Sequence, residues 1–154
     1  MAGVNGTISL NAGSIGNQHF SGAAADALAA SKMQHTFKAL SDLGHKVGDT
    51  PVAAEKTLFV ASGAGSILVF RAGLMVTGSA TSVNFDLKKN GVSVLSSPIN
   101  ITNSNTNRQV VDAVVTSPSF ADEDVFTVAL TVSSSTGAQG PFCSLETLEN
   151  TIPT

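Results

Sequence analysis

Residues 85–96 read FDLKKNGVSVLS, and this stretch decides the fold. Asn90-Gly91 separates two segments of strand-forming composition, and both residues tolerate the positive φ that a two-residue hairpin turn requires. Before the turn, Val83, Phe85 and Leu87 alternate with polar residues. Alternation with period two is typical of a strand that buries one face. The sequence therefore predicts an antiparallel hairpin that turns at Asn90-Gly91 and directs these apolar side chains inward.

The same alternation returns further along the chain at Phe126, Val128, Leu130 and Val132. Other short segments of strand-forming composition lie between Gly-, Asn- and Ser-rich turns: Ser66–Phe70, Leu74–Thr77, Ile99–Thr102, Gln109–Thr116 and Phe142–Leu148. Arg71-Ala72-Gly73 interrupts a long apolar run, which predicts a bend or bulge there. Strands and turns at this spacing are typical of an antiparallel β-sandwich or jelly roll. We predict such a domain for residues 58–154.

Residues 1–31 differ in composition from that domain, since Asp26 is their only charged residue. Ser21 can cap a short alanine-rich helix, which is too short to be stable without a surface to pack on. The larger apolar residues of this segment are too few to form a core: Val4, Ile8, Leu10, Ile15, Phe20 and Leu28. We therefore expect an extended N-terminal arm with a short helix, in which these six residues supply assembly contacts.

Residues 32–57 give a mixed pattern. A helical period fits Met33, Phe37, Leu40 and Leu43, whereas a strand fits Met33, His35, Phe37 and Ala39. Periodicity alone leaves both possibilities open. Because Gly44, Gly48 and the following Asp49-Thr50-Pro51 break any helix, we predict a connector with some extended structure.

Composition limits the classes of function. The chain is 42% apolar and 12% charged, with a net charge of -3 and only eight basic residues. This balance argues against a disordered chain and against a nucleic-acid-binding surface. The first residues lack the charged and apolar regions of a secretion signal, and no apolar run approaches the ~20 residues that span a bilayer. We expect no membrane partner.

The residues capable of chemistry are scattered. His19, His35 and His45 have no cysteine or carboxylate at zinc-ligand spacing. Asp122-Glu123-Asp124 offers oxygen ligands for calcium, but adjacent residues cannot all face one ion, so a solvated turn is the better interpretation. Cys143 follows Pro141-Phe142 and is expected to be a small buried side chain. No nucleophile elbow or phosphate loop is present. The sequence predicts no enzyme, no metal and no cofactor.

Two stretches resemble proteins of tailed-phage virions. Residues 85–96 resemble the F-D-L-K-K-N-G-x-S-V-L hairpin of β-sandwich domains in those proteins, and residues 123–132 are similar to their later G-D-V-x-x-V-x-x-T-V strand, with Glu123 where glycine is usual. Residues 13–33 look like the A-G-S-I-x-N-A-x-V…A-I-A-A-S-K-L segment of phage structural and fibre proteins.

The resemblance implies a virion component and transfers no catalytic residues. It implies a capsid decoration (cement) protein that is made in the host cytoplasm, binds the major capsid protein on the exterior of an icosahedral head, and stabilises that head, as a homotrimer. The alternative is a short head or tail fibre whose sandwich recognises a host glycan. The absence of Trp and Tyr weakens this alternative, because glycan sites generally use exposed aromatic platforms. An enzyme acting on cell-wall polymer would need a converging carboxylate pair, and Asp86, Asp112 and the acidic turn are the few candidates.

Overall fold

The computed structural model describes residues 33–151. The chain divides between Lys32 and Met33 into two units, and the described residues belong to the second. The predicted arm with its short helix lies outside the described residues. So do its expected contact residues, Val4, Ile8, Leu10, Ile15, Phe20 and Leu28.

The described residues form an all-β fold of ten strands in two antiparallel sheets. The strands are β1 Met33–Ser41, β2 Ala54–Val60, β3 Gly65–Val76, β4 Ala80–Lys89, β5 Val92–Ser93, β6 Ile99–Thr102, β7 Val111–Asp112, β8 Ser119–Phe120, β9 Val125–Thr136 and β10 Gln139–Thr151. Sheet A has the order β1-β10-β3-β7, with β8 also paired to β3. Sheet B has the order β2-β9-β4-β5, with β6 also paired to β4. The predicted antiparallel, two-sheet β architecture is confirmed.

The hairpin at Asn90-Gly91 forms as the sequence predicts. Asn90 has a φ of 51° and Gly91 a φ of 81°, the two positive values that a turn matching the right-handed strand twist needs. Pairing of Lys89 with Val92 closes the turn. The amide of Val94 then donates to the carbonyl of Leu87 at 3.0 Å, so the contact between the two arms continues past β5.

The core lies between the sheets and follows the predicted alternation. Six side chains from β4 and β9 are at most 1% exposed: Val83, Phe85, Leu87, Phe126, Val128 and Leu130. Around Phe126, the ring of Phe59 stacks at a centroid distance of 4.9 Å and that of Phe120 meets it edge-on at 5.4 Å. Burial of each such side chain contributes about 1.5–3 kcal/mol, so this cluster anchors the fold.

Residues 32–57 contribute more to the fold than the predicted connector. β1 pairs with β10 over its whole length, and β2 begins at Ala54 and pairs with β9. Of the two patterns left open, the strand pattern applies, because alternate residues of β1 face the core: Ala39 is buried and Phe37 contacts Phe59. The partner strand β10 comes from the far end of the chain, which local periodicity cannot reveal.

The predicted bulge at Arg71-Ala72-Gly73 is wrong in position. β3 passes through these residues in register with β10. The register shifts instead where Glu146 pairs with Val69 and Thr147 with Ile67, which leaves Leu68 as the extra residue. The strand predicted at Gln109–Thr116 is also shorter, with ladder pairing only at β7. Gly73 has a different role, described below.

One side of the sandwich is closed by backbone hydrogen bonds between segments of the two sheets. The carbonyl of Val94 accepts from the amide of Thr116 at 2.8 Å, and the amide of Ser96 donates to the carbonyl of Val114 at 2.9 Å. The opposite side is formed by β1 and β2, which meet through the rings of Phe37 and Phe59 at 5.2 Å. Side-chain packing is therefore the described link between the sheets on that side.

Replacement of Phe126 by alanine tests the position of the core. The ring is 0% exposed and its loss leaves a cavity between two other rings. We expect Phe126→Ala to lower the free energy of unfolding by about 3–5 kcal/mol in denaturant titrations. Val92→Ala, at a side chain that is 70% exposed, serves as the control and should change stability by less than about 0.5 kcal/mol. Equal effects of the two substitutions would place Phe126 outside the core.

A buried hydroxyl in the core provides a second test. Thr147 is 0% exposed, and its Oγ1 has no hydrogen-bond partner among the described residues. Valine has the same shape without the hydroxyl, so Thr147→Val should raise the free energy of unfolding by about 1 kcal/mol. The matched control is Thr127→Val, which removes a hydroxyl that donates to Glu55 at 2.8 Å and should not stabilise. A loss of stability in Thr147→Val would contradict this interpretation.

Candidate functional site

The outer face of sheet B is covered by polar side chains that bind one another. Asn100 Nδ2 donates to Ser82 Oγ at 3.2 Å and to Asn84 Oδ1 at 2.6 Å. Further along the same face, Ser93 donates to Asp86, and Lys88 and Thr127 both donate to Glu55. The hydrogen bonds from Lys88 and then Thr127 hold the pKa of Glu55 below its ordinary value. This face is suited to contact with water.

The outer face of sheet A carries a groove with an apolar lining. The groove has a volume of about 660 Å³, and Leu40, Val110 and Phe142 supply its apolar part. Leu40 is 75% exposed and Val110 is 52% exposed. Lys38 and Arg71 add positive charge to the lining. We call this feature the sheet-A groove; exposed apolar surface rimmed by polar groups is typical of an interaction site.

Gly73 makes room for the ring of Phe142 in this groove. On β3 it lies opposite Phe142 of β10. A Cβ at position 73 would lie 2.6 Å from Cζ of Phe142 and 2.3 Å from the carbonyl oxygen of Gln109. Only glycine allows the ring and that carbonyl to approach the β3 backbone so closely.

Arg71 is held in place by carboxylates. Its Nε donates to Oδ1 of Asp112 at 3.0 Å, and its Nη1 lies 3.6 Å from Oε2 of Glu146. Lys38 lies directly opposite Glu146 in the register of β1 and β10. These are partly exposed pairs, which contribute little to stability, but they keep the guanidinium on the outer face beside the apolar lining.

The acidic segment forms the predicted turn and serves as a set of hydrogen-bond acceptors. Asp122 Oδ1 accepts from the amide of Gly63 at 2.8 Å. Asp124 accepts from the amide of Ala121 and from Asn90, and these bonds, in that order, hold the pKa of Asp124 below its ordinary value. Glu123 has a φ of 65°, a left-handed conformation that explains why the resembling pattern carries glycine here.

The remaining reactive groups do not converge. His45 Nε2 accepts from the amide of Val52 at 3.1 Å, so Nδ1 carries the hydrogen, while the side chains of His19 and His35 lie outside the described part. Cys143 is buried as predicted, and burial raises the pKa of its thiol to about 12. Among the described residues no three His, Cys, Asp or Glu side chains form a metal-binding group. No helix within residues 33–151 has the length and hydrophobicity to cross a bilayer.

The sequence contained one signal for the sheet-A groove. In β10 the buried residues Cys143 and Leu145 have one parity, yet Phe142 and Leu148, of the opposite parity, are also apolar. Apolar residues at both parities indicate that both faces of a strand carry hydrophobic contacts. The contributions of Leu40 and Val110 come from distant segments and had no such signal.

Comparison with known proteins identifies no family. No family model matches the chain, and no curated protein matches it. Among solved structures, the chain is similar to the C-terminal domain of EclA, described as a sugar-binding protein, with a TM-score of 0.35 and 13% identity over 75% of each chain. It is also similar to dimeric latent PorU from Porphyromonas gingivalis, with a TM-score of 0.35 and 15% identity over 79% of this chain and 14% of PorU. Likeness at this level assigns no function.

Substitution of Gly73 tests how the sheet-A groove is built. Gly73→Ala would place a methyl group against the Phe142 ring and the Gln109 carbonyl. We expect it to lower the free energy of unfolding by about 1–3 kcal/mol. Gly48→Ala is the matched control, because a Cβ there meets nothing within 4 Å. If both variants unfold at the same denaturant concentration as the parent, the close approach at Gly73 is not a constraint.

Proposed function

We propose that the protein is a structural component of a phage virion, a capsid decoration protein that lies on the exterior of an icosahedral head and binds the major capsid protein. The observation that carries this proposal is the difference between the two outer faces. Sheet B presents polar side chains bonded to one another, whereas sheet A presents the sheet-A groove. A protein attached to a larger body needs one face for solvent and one for contact.

The composition of the sheet-A groove supports contact with a protein. Its lining combines an aromatic ring, Phe142, with the aliphatic side chains of Leu40 and Val110 and the guanidinium of Arg71. Aromatic residues and arginine are enriched at protein interfaces, where an apolar centre is surrounded by a polar rim. Because Asp112 and Glu146 already orient Arg71, little conformational freedom of that side chain is lost on binding.

In the proposed function the sandwich acts as a rigid body on the shell, and the arm adds further contacts. Each copy then connects neighbouring shell subunits and opposes their separation. The arm residues Val4, Ile8, Leu10, Ile15, Phe20 and Leu28 remain predicted contacts. When two weak contacts are linked in one chain, the second binds at high effective concentration, so attachment is tighter than either contact alone.

A fibre module that recognises a host glycan is the second candidate. The size of the sheet-A groove favours it, because about 660 Å³ lies within the roughly 300–1,000 Å³ range of small-molecule sites. Phe142 would be the apolar platform, and Lys38 and Arg71 the polar groups that fix orientation. Copy number separates the two candidates: a decoration protein is present in hundreds of copies per virion, on the order of the shell subunits, and a fibre in about a dozen or fewer.

Binding to shells tests the proposal through the sheet-A groove. Val110→Lys places a charge in the apolar lining without disturbing the core, since the side chain is 52% exposed. Loss of one buried valine contact costs about 1.5–3 kcal/mol, so affinity for heads that lack the protein should fall at least about tenfold. Cosedimentation of purified protein with such heads measures this.

Val92→Lys is the control for the head-binding measurement. Its side chain is 70% exposed at the hairpin of sheet B, outside the proposed contact face, and the variant should bind as the parent does. Equal binding by Val110→Lys and the parent would contradict contact through the sheet-A groove. Failure of the parent protein to bind heads at any concentration would contradict the decoration function itself.

A further inference from the structure

The ends of the two sheets differ in how they are protected against pairing with another chain. Among the described strands, β5, β7 and β8 have two residues each and β6 has four. Very short edge strands offer little backbone for a partner strand. These ends of sheets A and B are therefore poor templates for edge-to-edge association.

β2 is longer but is protected in other ways. Its register with β9 shifts between Thr57 and Phe59, which places a bulge at Leu58. Lys56 lies opposite Val128, whose side chain is buried, so this lysine is on the inner face of the sheet edge. A bulge and an inward-pointing charge are both devices that prevent a new strand from adding to an edge.

β1 has none of these protections. It is nine residues long, contains no proline, and pairs with β10 in an unbroken register from Met33 to Ser41. In the topology of the described strands β10 is its one neighbour, so alternate backbone N–H and C=O groups on its other edge face away from the sheet. Two apolar side chains on this strand are exposed, Phe37 at 40% and Leu40 at 75%.

We propose that β1 pairs antiparallel with β1 of a second copy of this chain, so that the two copies form a twofold dimer joined through sheet A. Extended backbone is the group that satisfies a free strand edge. Pairing would also cover the exposed part of the Phe37 ring at the side of the sandwich that has no described backbone link between its sheets. The dimer is independent of the proposed function and differs from the trimer that the resemblance implies.

The sequence of β1 is self-complementary in one register. When Phe37 lies opposite Phe37 of the second copy, all nine residues pair and Lys38 faces the uncharged Thr36. A register centred on Lys38 would oppose two lysines, which is unfavourable in a sheet. A shift by one residue would place core-facing positions opposite solvent-facing ones. The register centred on Phe37 is therefore the favoured one.

Opposite charges at position 36 test this register. Thr36 is exposed and would face Lys38 of the second copy twice in the dimer, so Thr36→Lys creates two like-charge pairs and Thr36→Glu two opposite-charge pairs. With the full chain in sedimentation equilibrium, we expect the parent to show a monomer–dimer equilibrium. The dissociation constant should rise roughly two- to thirtyfold for Thr36→Lys and fall by a similar factor for Thr36→Glu. Both changes should diminish in high salt.

Thr57→Lys and Thr57→Glu are the matched controls, because Thr57 is an exposed threonine on the protected edge strand β2. They should leave the dissociation constant unchanged. Thermal unfolding at a concentration where the protein is monomeric checks that each variant is folded. A parent that is monomeric at all concentrations, or trimeric, overturns the proposal. So do Thr36 variants that shift the equilibrium in the same direction, and Thr57 variants that shift it as strongly.

Discussion

Asn90 fixes the relation between the central strands of sheet B, and the rest of the structure depends on that relation. Its amide donates to the carbonyl of Val125 at 2.9 Å, its Oδ1 accepts from the amide of Val125 at 2.8 Å, and its Nδ2 donates to Asp124 at 2.6 Å. The turn at the end of β4 is thereby bound to the first residue of β9. With this end fixed, Phe85 pairs with Leu130 and Leu87 with Val128. A slip of one residue would move every one of these side chains to the outer face.

The same parity that fills the core determines the two outer faces. In sheet B the residues between the buried ones are Asn, Asp, Ser, Thr and Lys, whose side chains bind one another along the sheet. In sheet A the corresponding positions include Leu40 and Phe142, and Gly73 lets the ring of Phe142 lie close to the backbone. The molecule therefore has one polar face and one with an apolar groove. This difference connects the register of the strands to the proposed attachment on a shell.

The predictions from sequence were accurate where the determinants are local and failed where they are not. Asn90-Gly91 and the alternation in β4 and β9 are properties of adjacent residues, and both are confirmed. Residues 33–41 fitted either a helix or a strand, because their partner β10 lies more than a hundred residues away in sequence. The bulge at Leu68 has no glycine to mark it. The sheet-A groove joins Leu40, Val110 and Phe142 from three separate segments, so only the unusual apolar parity of β10 indicated it.

A reconstruction of shells decorated with the protein tests the central claim, that the molecule is one-sided, most directly. The account predicts that the outer face of sheet A, with Val110 and Phe142, lies against the shell, and that the polar face around Asn84 and Asn100 faces solvent. A reconstruction with the polar face of sheet B against the shell and the sheet-A groove open to solvent would contradict it.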